Sequence, residues 1–278
     1  MIDDAIAWAR AAGQLLLGHR GRSTGATQKS DLSNVVTAAD LASEQAIVQA
    51  IRRRHPTHSI IAEETGCDLR DSEFTWVIDP LDGTSNFAAG IPWFGVLIAL
   101  LRQRQPVLAV LHLPASGELY CAERGGGAFR NGEKIAVSAE PRLSNVLWAW
   151  GMDAADDDAT ATRDAALLAR ALQRVRNVRA TNSLVDAAYV ADGRLGGMVN
   201  RSSRIWDIAA PMLLIGQAGG LYTGADGLPL ALDVSASAAE RVYAVLAGAP
   251  ALHAQMLAVL RTASASGSAS MSQSGAND

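Results

Sequence analysis

Between residues 3 and 17 the apolar side chains Ile6, Ala9, Leu15 and Leu16 recur at helical spacing, and Gly18 and Gly21 predict where that helix stops. A loop rich in Gly, Ser and Thr follows. Thr37 opens a second predicted helix reaching about Arg54, with Asp40 at the third helical position as in a capping box and Leu41, Ile47, Val48 and Ile51 on its apolar face. His55-Pro56 ends it. Residues 59–62, 75–78, 95–101 and 106–113 are β-rich runs bounded by turn residues, and 117–137 adds shorter strands around Gly125-Gly126-Gly127 and the hairpin signal Asn131-Gly132. After Pro141 helix and strand alternate. Strands are predicted at 146–150, near Val178, at 198–199 and near Leu221 and Val242, with helices at 161–174, 183–191, 207–217 and 251–260. The fold class expected is α/β, with an α+β first part (1–140) and an α/β second part (141–262). Residues 263–278 are Ser, Ala, Gly and Asn with one Met and no other large apolar group, and predict a disordered tail.

Composition narrows the function classes. At 49% hydrophobic and 19% charged residues the 278-residue chain is globular. The longest apolar run, 91–101, is too short for a membrane helix and is broken by Pro92 and Gly95, so it reads as a buried strand and no membrane partner is expected. Asp3 and Asp4 stand where a secretory signal carries basic residues, which predicts a cytoplasmic protein. Cys67 and Cys121 support neither a disulfide framework nor a zinc site. A net charge of −4 without a basic run excludes nucleic acid as the expected partner. An anionic substrate would need local cations or a metal.

The chemistry concentrates in Trp76-Val77-Ile78-Asp79-Pro80-Leu81-Asp82-Gly83-Thr84-Ser85-Asn86-Phe87, where a buried strand runs into two carboxylates, a glycine and a hydroxyl. Pro80 cannot donate to a ladder, so the strand is expected to end at Asp79 and present both acids at its edge. Gly83-Thr84-Ser85 can open a helix or tight turn whose free N–H groups hold phosphate. Carboxylates beside an anion cradle imply a cation between them. Glu63-Glu64 ends the preceding strand, within reach of Asp79, and Trp206-Asp207 starts an apolar helix. Hard oxygen ligands without His or Cys favour magnesium, with manganese a possible substitute, over zinc. Four acids, one phosphate turn and no nucleophilic Cys or His point to metal-assisted phosphoester hydrolysis. His19, His55, His58, His112 and His253 show no ligand spacing, and Trp93, Trp148 and Trp150 read as core.

Residues 31–40, Ala62-Glu63-Glu64, residues 79–87 and Trp206-Asp207-Ile208-Ala209-Ala210 through Ala218-Gly219-Gly220 resemble, in order, the signature blocks of the inositol monophosphatase family. The resemblance implies a layered α/β/α/β/α sandwich, usually a homodimer, that is magnesium-dependent and lithium-sensitive and acts on a small-molecule phosphate ester. Position by position, it implies that Glu63, Asp79 and the Leu81 carbonyl bind one metal and that Asp79, Asp82 and Asp207 bind a second. Glu63 would also hold a third ion through water. The Gly83 and Thr84 amides would hold phosphate, and Asp40 with the Thr84 hydroxyl would align and deprotonate the attacking water. Three departures from the family stand out. Asn200 stands where a glutamate often reads the sugar ring, Thr181-Asn182-Ser183 replaces a Gly-Ser-Ala stretch, and Ala62 replaces a glycine. Ser183 and Asn200 are thus candidate leaving-group contacts, and Arg201 or Arg204 could meet a second anion. The substrate stays open between an inositol phosphate and a sibling such as histidinol phosphate, fructose 1,6-bisphosphate or a 3'-phosphonucleotide. A metal-binding regulatory scaffold without turnover is the alternative from another class.

Overall fold

The computed structural model describes residues 1–19, 27–28, 35–36, 38–153 and 157–269. Helices α1 (Ile2–His19) and α2 (Ala38–Arg54) flank a short antiparallel pair, β1 (Thr27–Gln28) and β2 (Val35–Val36). Then come β3 (Ser59–Ala62), β4 (Gly66–Asp68), β5 (Phe74–Asp82), the single-turn helix α3 (Thr84–Ala88), β6 (Gly95–Arg102), β7 (Gln105–Leu113), β8 (Glu118–Glu123), β9 (Gly127–Arg130) and β10 (Glu133–Lys134). A 3-10 turn (Leu143–Asn145) leads to β11 (Leu147–Gly151), α4 (Asp158–Leu172), β12 (Asn177–Arg179), α5 (Leu184–Ala191), β13 (Gly197–Ser203), α6 (Ile205–Gln217), β14 (Leu221–Gly224), β15 (Tyr243–Gly248) and α7 (Pro250–Ala269).

Eight strands form one mixed sheet in the order β10-β9-β8-β7-β6-β5-β3-β4, and five form another in the order β12-β11-β13-β15-β14. Helices α1 and α2 cover the outer face of the first sheet, where Ala9, Leu16, Ile47 and Ile51 pack on Trp76, Ile78 and Leu100. Helices α5 and α6 fill the space between the sheets, against Val77, Leu97 and Ala99 on one side and Ala149, Val245 and Ala247 on the other. Helices α4 and α7 close the far face over Trp148, Trp150, Val199 and Leu246. The expected α/β/α/β/α layering is therefore present. Alternation explains the continuous apolar runs: Trp76 and Ile78 face one layer while Val77 between them faces the other, so both faces of β5 are buried.

Several boundaries differ from the sequence reading for local reasons. Strand β5 does not end at Asp79 but continues to Asp82. Its pairing with β6 skips Pro80 and Leu81 and resumes at Asp82 opposite Gly95, so the missing proline N–H is absorbed in a bulge. Helix α4 begins earlier because Asp157 caps it, accepting from the Thr160 N–H at 2.7 Å. Trp93 is 43% exposed and is not core, unlike Trp148 and Trp150. Helix α7 runs to Ala269, into the predicted tail. Thr37, much of the loop before it and residues 270–278 lie outside the described residues.

Candidate active site

The parallel pairing of β3 with β5 sets Ala62 opposite Ile78, so the next residues lie side by side, Glu63 just past the end of β3 and Asp79 still within β5. The bulge after Asp79 then turns Asp82 back toward the same edge. Asp79 is 2% exposed and its Oδ1 accepts from the Leu81 N–H at 3.1 Å, while Ser43 on α2 donates to the Pro80 carbonyl at 2.7 Å. Asp207 arrives from the first turn of α6, where it accepts from the Arg204 N–H at 2.5 Å. Asp82 accepts from the Leu184 N–H at 2.5 Å. One carboxylate oxygen from each of Asp79, Asp82 and Asp207 lies within 4.8 Å of the other two. Burial, and then the neighbouring charges of Glu63, Asp82, Asp207 and Asp40, hold the Asp79 carboxyl well above its usual range. Burial and Asp207 do the same to Asp82. Burial also raises Asp207, partly offset by the Arg204 N–H. Three acids this close, one buried and two half-buried, are ionised together most readily when a cation lies among them, and their hard oxygen donors fit a divalent ion of the magnesium type.

Immediately after Asp82 the chain turns at Gly83, with φ of 81°, into α3. A Cβ at position 83 would sit 2.5 Å from the Trp93 carbonyl oxygen and 3.1 Å from Ser183 Cβ, so only glycine fits both the left-handed backbone and the space. The Thr84 hydroxyl donates to the Leu81 carbonyl at 2.8 Å. Asn86 ties this turn to the other half of the chain, its amide donating to the carbonyls of Trp93 at 3.0 Å and Thr181 at 2.9 Å. Ser183 caps α5, accepting from the Val185 N–H at 3.4 Å, and so lies against the Gly83 turn.

Residues 1–265 match the model of the inositol monophosphatase family. The chain belongs to that family. It is 35% identical over 227 residues to the fructose-1,6-bisphosphatase/inositol-1-monophosphatase of Thermotoga maritima, covering 81% of this chain and 85% of that protein. It is also 35% identical over 254 residues to the Nus factor SuhB of Escherichia coli, covering 89% and 94% respectively. Among solved structures, the inositol monophosphatase of Anabaena superposes with a TM-score of 0.79 at 35% identity, covering 94% of this chain and 95% of that one.

On the side of the site away from β3, the wall comes from the ends of β11 and β13 and the loop before α5. Asn200 pairs with Gly151, and its Oδ1 accepts from the Ser202 N–H at 3.0 Å. The two arginines after it are committed elsewhere. Arg201 forms an ion pair with Asp164 at 2.7 Å, and Arg204 donates to the Glu240 carbonyl at 2.5 Å. Each guanidinium therefore already has one partner within the protein.

Three acids escaped the sequence reading. Glu44, 1% exposed, accepts from the N–H groups of Glu64 and Thr65, both at 2.8 Å, and so grips the chain just after Glu63. A signal existed: Asp40, Ser43 and Glu44 stand at i, i+3 and i+4 of α2, three polar residues on a face that is buried. Asp186, buried in α5, has its carboxyl pushed up to about 7 by burial, with hydrogen bonds from Thr181 and Asn182 opposing the rise. Asp153, after β11, had no local signal.

Proposed function

We propose that this family member is a Mg2+-dependent phosphomonoesterase acting on inositol 1-phosphate or a similar polyol phosphate. The observation that carries the reading is the trio Asp79, Asp82 and Asp207, with oxygens within 4.8 Å of one another, of which Asp82 directly precedes a glycine turn in the left-handed region. Asp79, Asp82, Asp207, Glu63 and the Leu81 carbonyl are the groups that would hold divalent ions. Divalent ions held there would supply charge neutralisation for phosphoryl oxygens and a lowered pKa for water. The Gly83 and Thr84 amides, at the N-terminus of α3, hold the phosphate, since the first N–H groups of a helix have no acceptor within it. Thr84 Oγ1, its proton engaged by the Leu81 carbonyl, offers lone pairs to orient the attacking water, and Asp40 takes the proton. Ser183 and Asn200 line the path of the departing alcohol. Oligomeric state and setting complete the reading as a cytoplasmic, lithium-sensitive homodimer, with Mn2+ a possible substitute ion. No helix among the described residues is long and apolar enough to cross a membrane.

A regulatory scaffold without turnover is the competing reading, prompted by the Nus factor name of one relative. The intact acid set favours catalysis, because a chain released from turnover has no reason to keep Glu63, Asp79, Asp82 and Asp207 together. The test is phosphate release from a panel of phosphomonoesters with Mg2+ and with excess chelator. Release that needs Mg2+ and ranks inositol 1-phosphate among the best substrates is expected; release that persists in chelator, or none from any ester, would refute the reading.

A further inference from the structure

The wall opposite β3 carries a carboxylate with no part in the scheme above. Gly151 pairs with Asn200 in the parallel β11/β13 register, so two residues further on Asp153 comes level with Ser202. The Ser202 hydroxyl donates to Asp153 Oδ2 at 2.6 Å, and the Asn182 amide donates to Asp153 Oδ1 at 2.8 Å. One side chain thus joins both strips of the wall, the loop that presents Ser183 to the Gly83 turn and the end of β13 that leads to Asp207.

Each oxygen of Asp153 uses one of its two acceptor positions on the wall, and the residue is exposed, so the remaining positions face solvent at the rim. Among the described residues no lysine or arginine forms an ion pair with it. Arg201 is paired with Asp164, and Arg204 points to Glu240. Among the described residues the leaving-group side of the site therefore presents a negative charge, hydroxyls and amides.

We infer that Asp153 determines substrate specificity, accepting hydrogen bonds from hydroxyl or ammonium groups of the leaving alcohol and repelling substrates that carry a second phosphate there. This rests on the phosphatase reading and narrows its substrate class to monophosphates of neutral or cationic alcohols. Inositol 1-phosphate fits. Fructose 1,6-bisphosphate, which the name of the Thermotoga maritima relative includes, would be disfavoured here.

Asp153→Asn isolates the charge, because the Ser202 hydroxyl and the Asn182 amide can each reorient to bond an amide. With Mg2+, the ratio of kcat/KM for fructose 1,6-bisphosphate to that for inositol 1-phosphate should rise about fivefold to tenfold, the scale of one unit charge several ångströms away in a partly exposed site. The rise should shrink at high ionic strength, and Asp153→Glu should keep the wild-type ratio. Equal changes for both substrates would make Asp153 a mere brace of the wall and overturn the inference. Calorimetric binding of the same two esters in Ca2+ decides the matter independently of turnover. If no ester is hydrolysed the phosphatase reading fails, while a shift of relative affinity toward the bisphosphate in Asp153→Asn supports the role of Asp153 and an unshifted ratio overturns it.

Discussion

Glu44 never reaches the proposed chemistry, yet its replacement by Gln should change both stability and metal response. The carboxylate is 1% exposed and accepts two backbone hydrogen bonds at 2.8 Å, one on each oxygen. Glutamine keeps one oxygen and turns an NH2 group toward the other N–H, so one bond to a charged acceptor is lost and a donor is left facing a donor. A hydrogen bond to a charged group contributes about 1.5 to 3 kcal/mol, and a buried unsatisfied donor costs about 1 to 3 kcal/mol, so a loss near 2 to 4 kcal/mol is expected. Glu63 is held from its own side by a long bond, its N–H reaching the Ile78 carbonyl at 3.3 Å. Loosening residues 64 and 65 should therefore let the Glu63 carboxylate spread over more positions and raise the Mg2+ concentration for half-maximal activity. Urea unfolding in chelator, followed by the fluorescence of the six tryptophans, measures the first effect, and a Mg2+ titration of activity measures the second. A stability change under about 0.5 kcal/mol together with an unaltered titration would show that Glu44 does not hold the Glu63 segment.

Asp82→Asn should abolish most turnover while raising the melting temperature of the metal-free protein, because it removes one of three crowded acids; calorimetry in chelator showing a lower melting temperature would contradict the electrostatic account. Gly83→Ala should cost about 1 to 3 kcal/mol from backbone strain and overlap with the Trp93 carbonyl, and should weaken inhibition by inorganic phosphate, measured as its Ki. Asp186 gives a pH signature. Its folded carboxyl titrates near 7 against an ordinary value near 4, so the folded state keeps a proton the unfolded chain releases, and stability falls as pH rises from about 4 to 7. In Asp186→Asn the melting temperature of chelated protein should decline less between pH 5 and pH 7 than in wild type; an equal or steeper decline would place the buried proton elsewhere.

Most of the acidic edge was legible because its residues are neighbours in sequence or follow from strand register: Asp79 and Asp82 flank one proline, and Glu63 follows the run preceding theirs. The course of β5 past Pro80 was not, since a bulge depends on how β6 pairs across it at Gly95. Glu44 was hidden because a glutamate on a helix ordinarily faces water, and only the chain folding back at residues 64 and 65 gives it donors. Arg201 and Arg204 pose the converse case. Their partners, Asp164 and the Glu240 carbonyl, lie 36 or more positions away in sequence, and no local pattern reports that they are taken. Trp93 sits in an apolar run but at its turn end, where the backbone, through the carbonyl that crowds Gly83, does the packing.

The layer between the sheets has a consequence for synthesis. The eight-stranded sheet is complete at Lys134, but α6, which covers its inner face, ends only at Gln217, about 80 residues later. At about 5 to 20 residues per second a ribosome takes several seconds to make that stretch. During that interval Val77, Leu97 and Leu111 have no partner from the chain's own later half, so a nascent protein paused between the two sheets offers a holdase chaperone a broad apolar surface that the finished molecule never shows.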